Sequence, residues 1–331
     1  MKQNKYRRIS FIEREEISRC LASGLSIRRI AGKTQRNPGD LSREVKKGGG
    51  REKYRAHLSQ YRAERRRKKQ GRKKKLEIQP KLKEYVFKKL FIFWSPEQIA
   101  NSLKMDYPED TAMRISPETI YSYAYIQPKG ELKKLLVKAL RRHHYKRHKK
   151  NRKTKREVIN IPNMVSIEER PEEAEKRTIA GHWEGDLLIG KLRRSGLGTI
   201  VERATRKVIL VPLKEKDHIT VARNFSKELN KIPKKLRKTM TYDRGSEMSS
   251  HEKITANTKI KVYFAHSGSP WERGTNENTN GLIRQFFSKG TDFAKLATRE
   301  IKKVEKLLNE RPRKTLNWKT PEEVFKELVL R

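Results

Sequence analysis

The chain has 331 residues, enough for two or three domains. Lys and Arg total 82 against 39 acidic residues, and the formal net charge of +43 would make the compact chain repel itself unless a polyanion shared that charge. The longest candidate apolar run, Leu90–Trp94, is too short to span a bilayer, and the first ten residues lack the apolar core of a signal peptide. The single cysteine, Cys20, cannot form an internal disulfide, which suits a cytosolic protein. These features exclude a membrane-spanning protein and favour a nucleic-acid partner, although a basic ribosomal or chromatin protein also fits them.

Two blocks of basic residues divide the chain. Residues 62–75 contain ten Lys or Arg and one acid, and residues 141–156 contain ten Lys or Arg and three His. Such blocks repel themselves and are usually solvated linkers or arms that lie along phosphates. We therefore expect five regions: a helix-turn-helix domain over 1–50, a basic linker over 51–76, a second helical domain over 77–140, a basic linker over 141–176 and a third domain over 177–331.

Three short helices are predicted within the first region. Ser10 and Glu13 form a capping-box pattern, Ser26 begins a second helix, and Asn37 with the proline after it is a good cap for a third. Two helices joined by a tight polar turn are typical of a helix-turn-helix, whose second helix enters the major groove. We expect that helix to present polar side chains to base edges, among them Asp40, Ser42 and Arg43. A plain three-helix bundle without a DNA role is the alternative.

The second region repeats this helical pattern. Leu82, Val86 and Leu90 share one helical face, Ser95–Gln98 is a capping box, and another helix begins at Ser116. Two helices separated by a polar loop are compatible with a second helix-turn-helix and with a protein-contact module. The sequence leaves both open.

The third region changes to strand-like apolar runs. These runs cover 182–189, 198–202, 208–213, 239–242 and 261–264, with helices through 221–229 and over about 269–287. Strands that alternate with helices in this way indicate an α/β layer around a mixed sheet. Ser269 and Glu272 form a further capping-box pattern, which predicts where the last of these helices begins.

Three carboxylates stand out by their positions in this region. Asp186 lies inside the first strand, Asp243 directly follows the strand that ends at Tyr242, and Glu277 lies on the last helix. Mg²⁺ takes carboxylate oxygens as ligands, and two such ions can activate an attacking oxygen and stabilise a leaving one. The spacing alone is compatible both with a metal-dependent phosphoryl-transfer site and with ordinary salt bridges.

The residues around these acids closely resemble the insertion-sequence IS-thirty family of DDE transposases. The resemblance rests on residues 182–187 (HWEGDL), on residues 243–247 (DRGSE) with His251, and above all on residues 269–285 (SPWERGTNENTNGLIRQ). It extends over nearly the whole chain, through residues 94–100 (WSPEQIA), 116–121 (SPETIY), 308–314 (LNERPRK) and 320–323 (TPEE). The 33 residues between Asp243 and Glu277 also match the family pattern. Residues 37–42 depart from it, since the family tends to have small hydroxyl residues there.

The resemblance implies N-terminal all-α helix-turn-helix modules followed by an RNase H-like α/β domain with a mixed five-stranded sheet. Asp186, Asp243 and Glu277 would be the catalytic residues and would bind Mg²⁺ or Mn²⁺, with two ions per active site. Arg284 matches the family's basic residue after the glutamate and would hold Glu277 or a DNA phosphate.

The implied activity is cleavage at the ends of an insertion element followed by strand transfer, without a covalent enzyme intermediate. The N-terminal modules would bind the terminal inverted repeats in double-stranded DNA. Joining two ends implies at least a dimer, and we expect no membrane association but a prokaryotic cytoplasmic location, on the nucleoid when DNA is bound. A DNA-binding repressor with an idle catalytic domain and an RNase H-like nuclease without strand transfer are the alternatives.

Several neighbouring polar residues have structural interpretations. Glu184 faces the same side of its strand as Asp186, and a salt bridge is favoured over a role behind a metal ligand. His182 and Trp183 are interpreted as structural, His251 as a capping or packing residue, and Asp292 as a turn or cap acid. The three His of the second basic block lack a cysteine nearby and are interpreted as solvated or phosphate-facing instead of zinc ligands.

Overall fold

Short capped helices build the N-terminal part of the protein. The computed structural model describes residues 7–69, 75–126, 130–140 and 161–330, and the chain divides into two units after Ile78. The first unit contains α1 (Phe11–Ala22), α2 (Ile27–Thr34), α3 (Pro38–Gly48), α4 (Ala56–Lys69) and α5 (Lys75–Ile78). In the described ranges no helix is both long and apolar enough to cross a membrane.

The predicted caps of the first three helices are confirmed. The Ser10 hydroxyl accepts the amide of Glu13, and the Glu13 carboxylate accepts the amide of Ser10. The Ser26 side chain caps α2 by accepting the amide of Arg29, and the Asn37 side chain caps α3 by accepting the amide of Gly39. Buried apolar residues from all three helices form a small core: Ile17, Cys20, Ile30, Ala31, Leu41 and Val45.

The segment expected as the first basic linker is helical over much of its length. Helix α4 begins after Tyr54, which is 1% exposed, and Ser59 in its first half is also buried. The guanidinium of Arg14 in α1 donates to the side chain of Gln60, which attaches α4 to the rest of the unit. The structure differs from the linker prediction because buried residues in the first half of this segment stabilise a helix. The basic residues lie in the second half of the same helix.

The second helical region contains α6 (Pro80–Phe91), α7 (Pro96–Asp106), α8 (Pro117–Ile126) and α9 (Gly130–Ala139). The capping box of Ser95 and Gln98 is confirmed. Gln98 also donates to the carbonyl of Pro312 at 2.7 Å and accepts from Arg311 Nε at 2.8 Å. This region therefore belongs to the same unit as the C-terminal sheet, and the separate domain expected over 77–140 packs on it through the buried Arg311.

The predicted mixed five-stranded sheet is confirmed. Its strands are β1 (His182–Ile189), β2 (Gly196–Glu202), β3 (Val208–Leu213), β4 (Thr239–Tyr242) and β5 (Lys261–Phe264). They lie in the order β3-β2-β1-β4-β5. Strand β2 is antiparallel to both β1 and β3, and β4 and β5 continue the sheet parallel to β1.

Helices cover both faces of this sheet. They are α10 (Glu172–Lys176), α11 (His218–Leu229), α12 (His251–Thr258), α13 (Gly274–Phe286), α14 (Thr298–Asn309) and α15 (Pro321–Leu330). One apolar core joins β1–β5 to α11, α12 and α15 through residues such as Trp183, Phe225 and Met240. A second core joins the sheet to α13 and α14 through Val201, Ile283 and Leu308.

The C-terminal sheet region begins earlier than expected. Ile161 is buried in the first core, and the amide of Phe264 in β5 donates to the carbonyl of Val165. Residues 161–176, expected as part of the second linker, are therefore packed on the sheet. Residues 141–160, which include the three His of the basic block, lie outside the described residues.

A buried carboxylate anchors the start of α13 to β1. Glu184 is fully buried, its Oε1 lies 3.1 Å from Arg203 Nη1, and its Oε2 accepts the amide of Asn276 at 2.8 Å. The Asn276 side chain also donates to the carbonyl of Glu184 at 2.9 Å. The salt-bridge interpretation of Glu184 is confirmed, and the pair places α13 alongside the strand that carries Asp186.

The predicted capping box at Ser269 is wrong. The Glu272 carboxylate turns back to accept from the amide and the imidazole Nδ1 of His266, each at 2.8 Å, so it does not reach Ser269. A 3₁₀ turn over Pro270–Arg273 follows, and α13 begins only at Gly274.

The stability of the first unit should depend on pH through Glu13. Burial alone would raise the pKa of Glu13, but hydrogen bonds from Ser10, Arg7 and Arg36 outweigh it and lower that pKa from 4.5 to about 2. A lowered pKa adds stability that is complete above the unfolded value and is lost as the pH falls from 4.5 through 2. Hydrogen exchange of α1–α3 in the full-length protein should show Glu13→Gln destabilised by up to about 3 kcal/mol at pH 6. The difference should shrink toward pH 3, and a difference independent of pH would contradict this account.

Removing Glu184 should destabilise the second unit. Glu184→Ala leaves Arg203 buried without its ion-pair partner, which typically costs about 3–5 kcal/mol. All four tryptophans, at positions 94, 183, 271 and 318, lie in this unit, so fluorescence during urea unfolding reports on it alone. Glu215→Ala, at an exposed acid after β3, is the control. If Glu184→Ala lowers the free energy of unfolding by no more than the control does, the anchoring role is refuted.

Candidate active site

The pairing of β1 and β4 brings Asp186 and Asp243 together. The parallel register pairs His182 with Thr239 and Glu184 with Thr241, and two more residues along it place Asp186 level with Asp243. The strands approach closely here, since the ring of Tyr242 lies 2.5 Å from where a Cβ on residue 185 would be. Only glycine fits at position 185 without displacing that ring.

One guanidinium lies between the two aspartates. Arg273 Nη1 is 3.5 Å from Asp186 Oδ1, and Arg273 Nη2 is 3.1 Å from Asp243 Oδ2. Arg273 Nη1 also donates to the carbonyl of Gly185 at 3.0 Å. Arg273 is the last residue of the turn before α13, so the start of the helix is bound to both carboxylates.

Burial and the closeness of the acidic side chains raise carboxylate pKa values at this site. Burial raises the pKa of Asp186; the Arg273 charge opposes this rise, and the Asp243 charge adds to it. Burial also raises the pKa of Glu247, with further contributions from Asp243 and Asp186. Burial alone would lower the pKa of Arg273, but the two aspartates outweigh it and raise that pKa. The site therefore concentrates negative charge that a cation must offset.

An amide from α13 completes the environment of Asp186. Asn280 Nδ2 donates to Asp186 Oδ2 at 2.6 Å. Arg273 and Asn280 are not among the site residues predicted from the sequence, although both lie in the segment that carries the family resemblance. Their signal was helical spacing, because residues 273, 277, 280 and 284 follow one another at intervals of three or four and share a helix face.

Glu277 lies on that face but does not join the two aspartates. It is exposed on α13, four residues after Arg273. Over the described ranges no cluster of three or more acidic, His or Cys side chains could hold a metal ion. The structure thus brings together two of the three acids, and the assignment of all three as the metal-binding triad stays a prediction.

Arg284 contacts backbone instead of Glu277. Its guanidinium donates to the carbonyl of Ile189 at 3.2 Å and to that of Ser288 at 3.3 Å. Burial lowers the pKa of Arg284. Arg284 therefore attaches the later part of α13 to the end of β1, while contact with a DNA phosphate stays a prediction.

The other polar residues near these acids have structural contacts. The imidazole of His182 bonds to Thr239 and Glu173, and the Trp183 indole donates to the carbonyl of Leu236. His251 bonds to the carbonyl of Met248 and meets the ring of Phe264 edge-on at 5.0 Å. Asp292 caps a short turn through the amide of Ala294. Their structural interpretations are confirmed.

The predicted base-contacting residues lie on the surface of the first unit. Ser42 and Arg43 are exposed on α3, and Arg43 Nη2 forms an ion pair with Asp40 at 2.6 Å. The negative charge of Asp40, unfavourable near phosphates, is therefore paired within the helix.

Comparisons with known protein families agree with this architecture. Residues 178–270 match the family model of the integrase core domain, and residues 5–48 match that of a helix-turn-helix domain. The first match covers the strands with Asp186 and Asp243, and the second covers α1–α3.

Several curated transposases are similar over almost the full chain. The transposase InsI for insertion sequence element IS30A of Escherichia coli is 42% identical over 97% of this chain and 84% of its own length. The transposase for insertion sequence element IS1086 of Cupriavidus metallidurans is 38% identical, over 99% of this chain and 97% of its own. The transposase for insertion sequence element IS4351 of Bacteroides fragilis is 37% identical, over 96% and 95%. The chain therefore belongs to the IS30 (IS-thirty) family of insertion-sequence transposases.

Proposed function

We propose that this transposase binds the terminal inverted repeats of its own insertion sequence and catalyses metal-dependent DNA cleavage and strand transfer. One observation carries the proposal: Asp186 and Asp243 meet at the junction of β1 and β4 and share a single cationic partner, Arg273. Helix α13, which bears Glu277, is anchored beside them through Asn276. Membership of the family supports transposition as the overall activity.

The residues present suit divalent metal ions. Asp186 and Asp243 supply carboxylate oxygens, the ligands that Mg²⁺ and Mn²⁺ prefer. Asp243 Oδ1 is buried and, among the described residues, has no hydrogen-bond partner, so one ligand atom is available. We assign the binding of the two ions to Asp186, Asp243 and Glu277. When bound, such ions activate the attacking oxygen and stabilise the leaving one.

The protein's own side chains then position and balance this site. Asn280 holds one oxygen of Asp186 through its amide, which orients the other oxygen. Arg273 offsets the repulsion between the two aspartates, a role that a bound metal ion would share. Water or a DNA 3′-hydroxyl would attack the phosphodiester directly, without a nucleophilic side chain of the protein.

DNA recognition would come from the basic N-terminal unit. Ser42 and Arg43 on α3 are the proposed base contacts, and Arg284 beside the acids is the proposed phosphate contact. Joining two element ends requires at least two copies of the chain on double-stranded DNA. We place this reaction in the cytoplasm of a prokaryotic cell, as the bacterial sources of the relatives suggest.

The triad assignment predicts the loss of chemistry without the loss of DNA binding. Asp186→Asn, Asp243→Asn and Glu277→Gln should each lower Mg²⁺- or Mn²⁺-dependent nicking and strand transfer by about two orders of magnitude or more. The assay uses full-length protein and a plasmid that carries the gene's own flanking DNA. Glu215→Gln makes the same chemical change at an exposed acid and should keep full activity.

Other outcomes of that assay would contradict the proposal in different ways. Binding of the flanking DNA without any metal-dependent product from the unaltered protein would favour a repressor. Nicking without strand transfer would favour a nuclease. Full activity of Glu277→Gln beside inactive aspartate variants would remove Glu277 from the triad.

The shared guanidinium makes a separate prediction. Arg273→Gln removes the positive charge between Asp186 and Asp243, so their repulsion should lower the melting temperature of the metal-free protein by about 2–5 °C. Millimolar Mn²⁺ should then raise the melting temperature of this variant more than that of the unaltered protein. Arg244, whose side chain donates to the carbonyl of Ala265, lies nearby, and Arg244→Gln is the control. Equal responses of Arg273→Gln and the unaltered protein to Mn²⁺ would show that Arg273 does not compete with metal.

A further inference from the structure

A tryptophan side chain is exposed on the turn that precedes α13. Trp271 lies in the 3₁₀ turn over Pro270–Arg273 and is 71% exposed. The other three tryptophans of the chain, at positions 94, 183 and 318, are buried or half-buried. An indole offers a large apolar area to a ligand, but single exposed apolar residues are common on protein surfaces. The surroundings of Trp271 must therefore show whether it has a function.

The backbone on both sides of Trp271 is fixed by hydrogen bonds. The Glu272 carboxylate accepts from the amide and the imidazole of His266, each at 2.8 Å. The amide of Glu272 donates to the carbonyl of Ser269 at 3.2 Å, and the carbonyl of Trp271 accepts the amide of Gly274. The indole therefore projects from a backbone that is already ordered, so a ligand that contacts it need not order the turn.

This turn borders the candidate active site. Trp271 is two residues from Arg273, whose guanidinium contacts both Asp186 and Asp243. Two residues of chain span at most about 7 Å between their Cα atoms. Successive nucleotides of a duplex are about 3.4 Å apart along its axis. A DNA strand with its reacting phosphodiester at the two aspartates therefore has bases within a few nucleotides that pass close to Trp271.

The side chain of Trp271 differs from those of the two residues after it. Glu272 is bound to His266, and Arg273 is bound to the aspartates. Within the part of the chain that the structure describes, the Trp271 indole has neither a hydrogen bond nor a contact with another ring. It is thus a side chain at the border of the site that is free to contact a substrate.

A nucleobase is the ligand that suits this indole. The formal net charge of +43 draws DNA to the protein, and every base has a π-face that can stack on an aromatic ring. Enzymes that react with DNA often take a nucleotide out of the base stack, which leaves a base without a neighbour. An aromatic side chain at the border of the site can replace that neighbour.

We propose that Trp271 stacks on a nucleobase of the element end within a few nucleotides of the phosphodiester that reacts. This contact would hold the strand over Asp186 and Asp243. Because an indole stacks on any base, Trp271 positions the strand without reading its sequence. The identity of the ligand as element-end DNA rests on the proposed function, whereas the availability of the indole rests on its exposure and its fixed turn.

The test removes one base at a time. Full-length protein nicks duplex oligonucleotides that carry the element end, each with an abasic site at one position near the cleavage site. The DNA concentration for half-maximal nicking is compared among the unaltered protein, Trp271→Ala, Trp271→Phe and Ile219→Ala. Ile219 is an exposed apolar residue on α11, which packs on the opposite face of the sheet from α13, so Ile219→Ala is the control.

If Trp271 stacks on a base, the abasic site at one position should penalise the unaltered protein more than Trp271→Ala. The increase in half-maximal DNA concentration should differ between these two proteins by about tenfold. This comparison cancels any effect of the abasic site on the duplex itself. Trp271→Phe should keep most of the difference because a phenyl ring also stacks, and Ile219→Ala should respond as the unaltered protein does. Equal responses of Trp271→Ala and the unaltered protein at every scanned position would overturn the proposal.

A separate measurement covers failure of the proposed function. If the unaltered protein nicks no substrate, stacking is tested by tryptophan fluorescence while a duplex with a single-stranded end, made from the flanking DNA, is added in EDTA. The difference in emission between the unaltered protein and Trp271→Phe comes from Trp271, and bound DNA should quench most of it. If DNA leaves this difference unchanged, the stacking proposal is overturned independently of the catalytic one. A difference that changes with protein concentration but not with DNA would assign the indole to a second copy of the chain and would also overturn it.

Discussion

The buried contact between Glu184 and the start of α13 determines the geometry of the candidate site. A buried carboxylate loses its hydration, and an ion pair alone rarely compensates for that loss. Here the backbone amide of Asn276 donates to the carboxylate and adds to the contribution of Arg203, while the side-chain amide of Asn276 donates to the backbone carbonyl of Glu184. Glu184, which faces the same side of β1 as Asp186, is thus a structural residue. It determines where the side chains of α13 meet the aspartates.

The sequence predicted the strands of the sheet well because they depend on short-range patterns. Strands with alternating or continuous apolar residues were identified nearly to the residue, as β1 and β3 show. Helix caps were predicted equally well where the partners lie three residues apart, as at Ser10 and Ser95. In each of these cases the chain segment itself contains the information.

Features that depend on distant partners could not be read from the sequence. Glu272 has the correct spacing to cap α13, but His266 competes for its carboxylate through the folded loop. The basic segment that forms α4 looked like a linker because its buried contacts are made with α1. The second helical region looked independent, although Arg311 bonds both Gln98 of α7 and Gln285 of α13. Contacts made only in the folded chain decide all three, and local propensity carries no record of them.

Helix α13 makes several separate contacts within a few turns. Asn280 donates to Asp186, the Thr275 hydroxyl accepts from Arg206 in the turn after β2, and the backbone amide of Asn276 donates to Glu184 in the sheet. Because each residue advances the helix by about 100°, inserting or deleting a single residue would rotate every side chain beyond the change by that angle relative to the side chains before it. The length of this segment is therefore constrained along with the side chains that make these contacts. The number of residues in α13 therefore decides which side chain faces each partner.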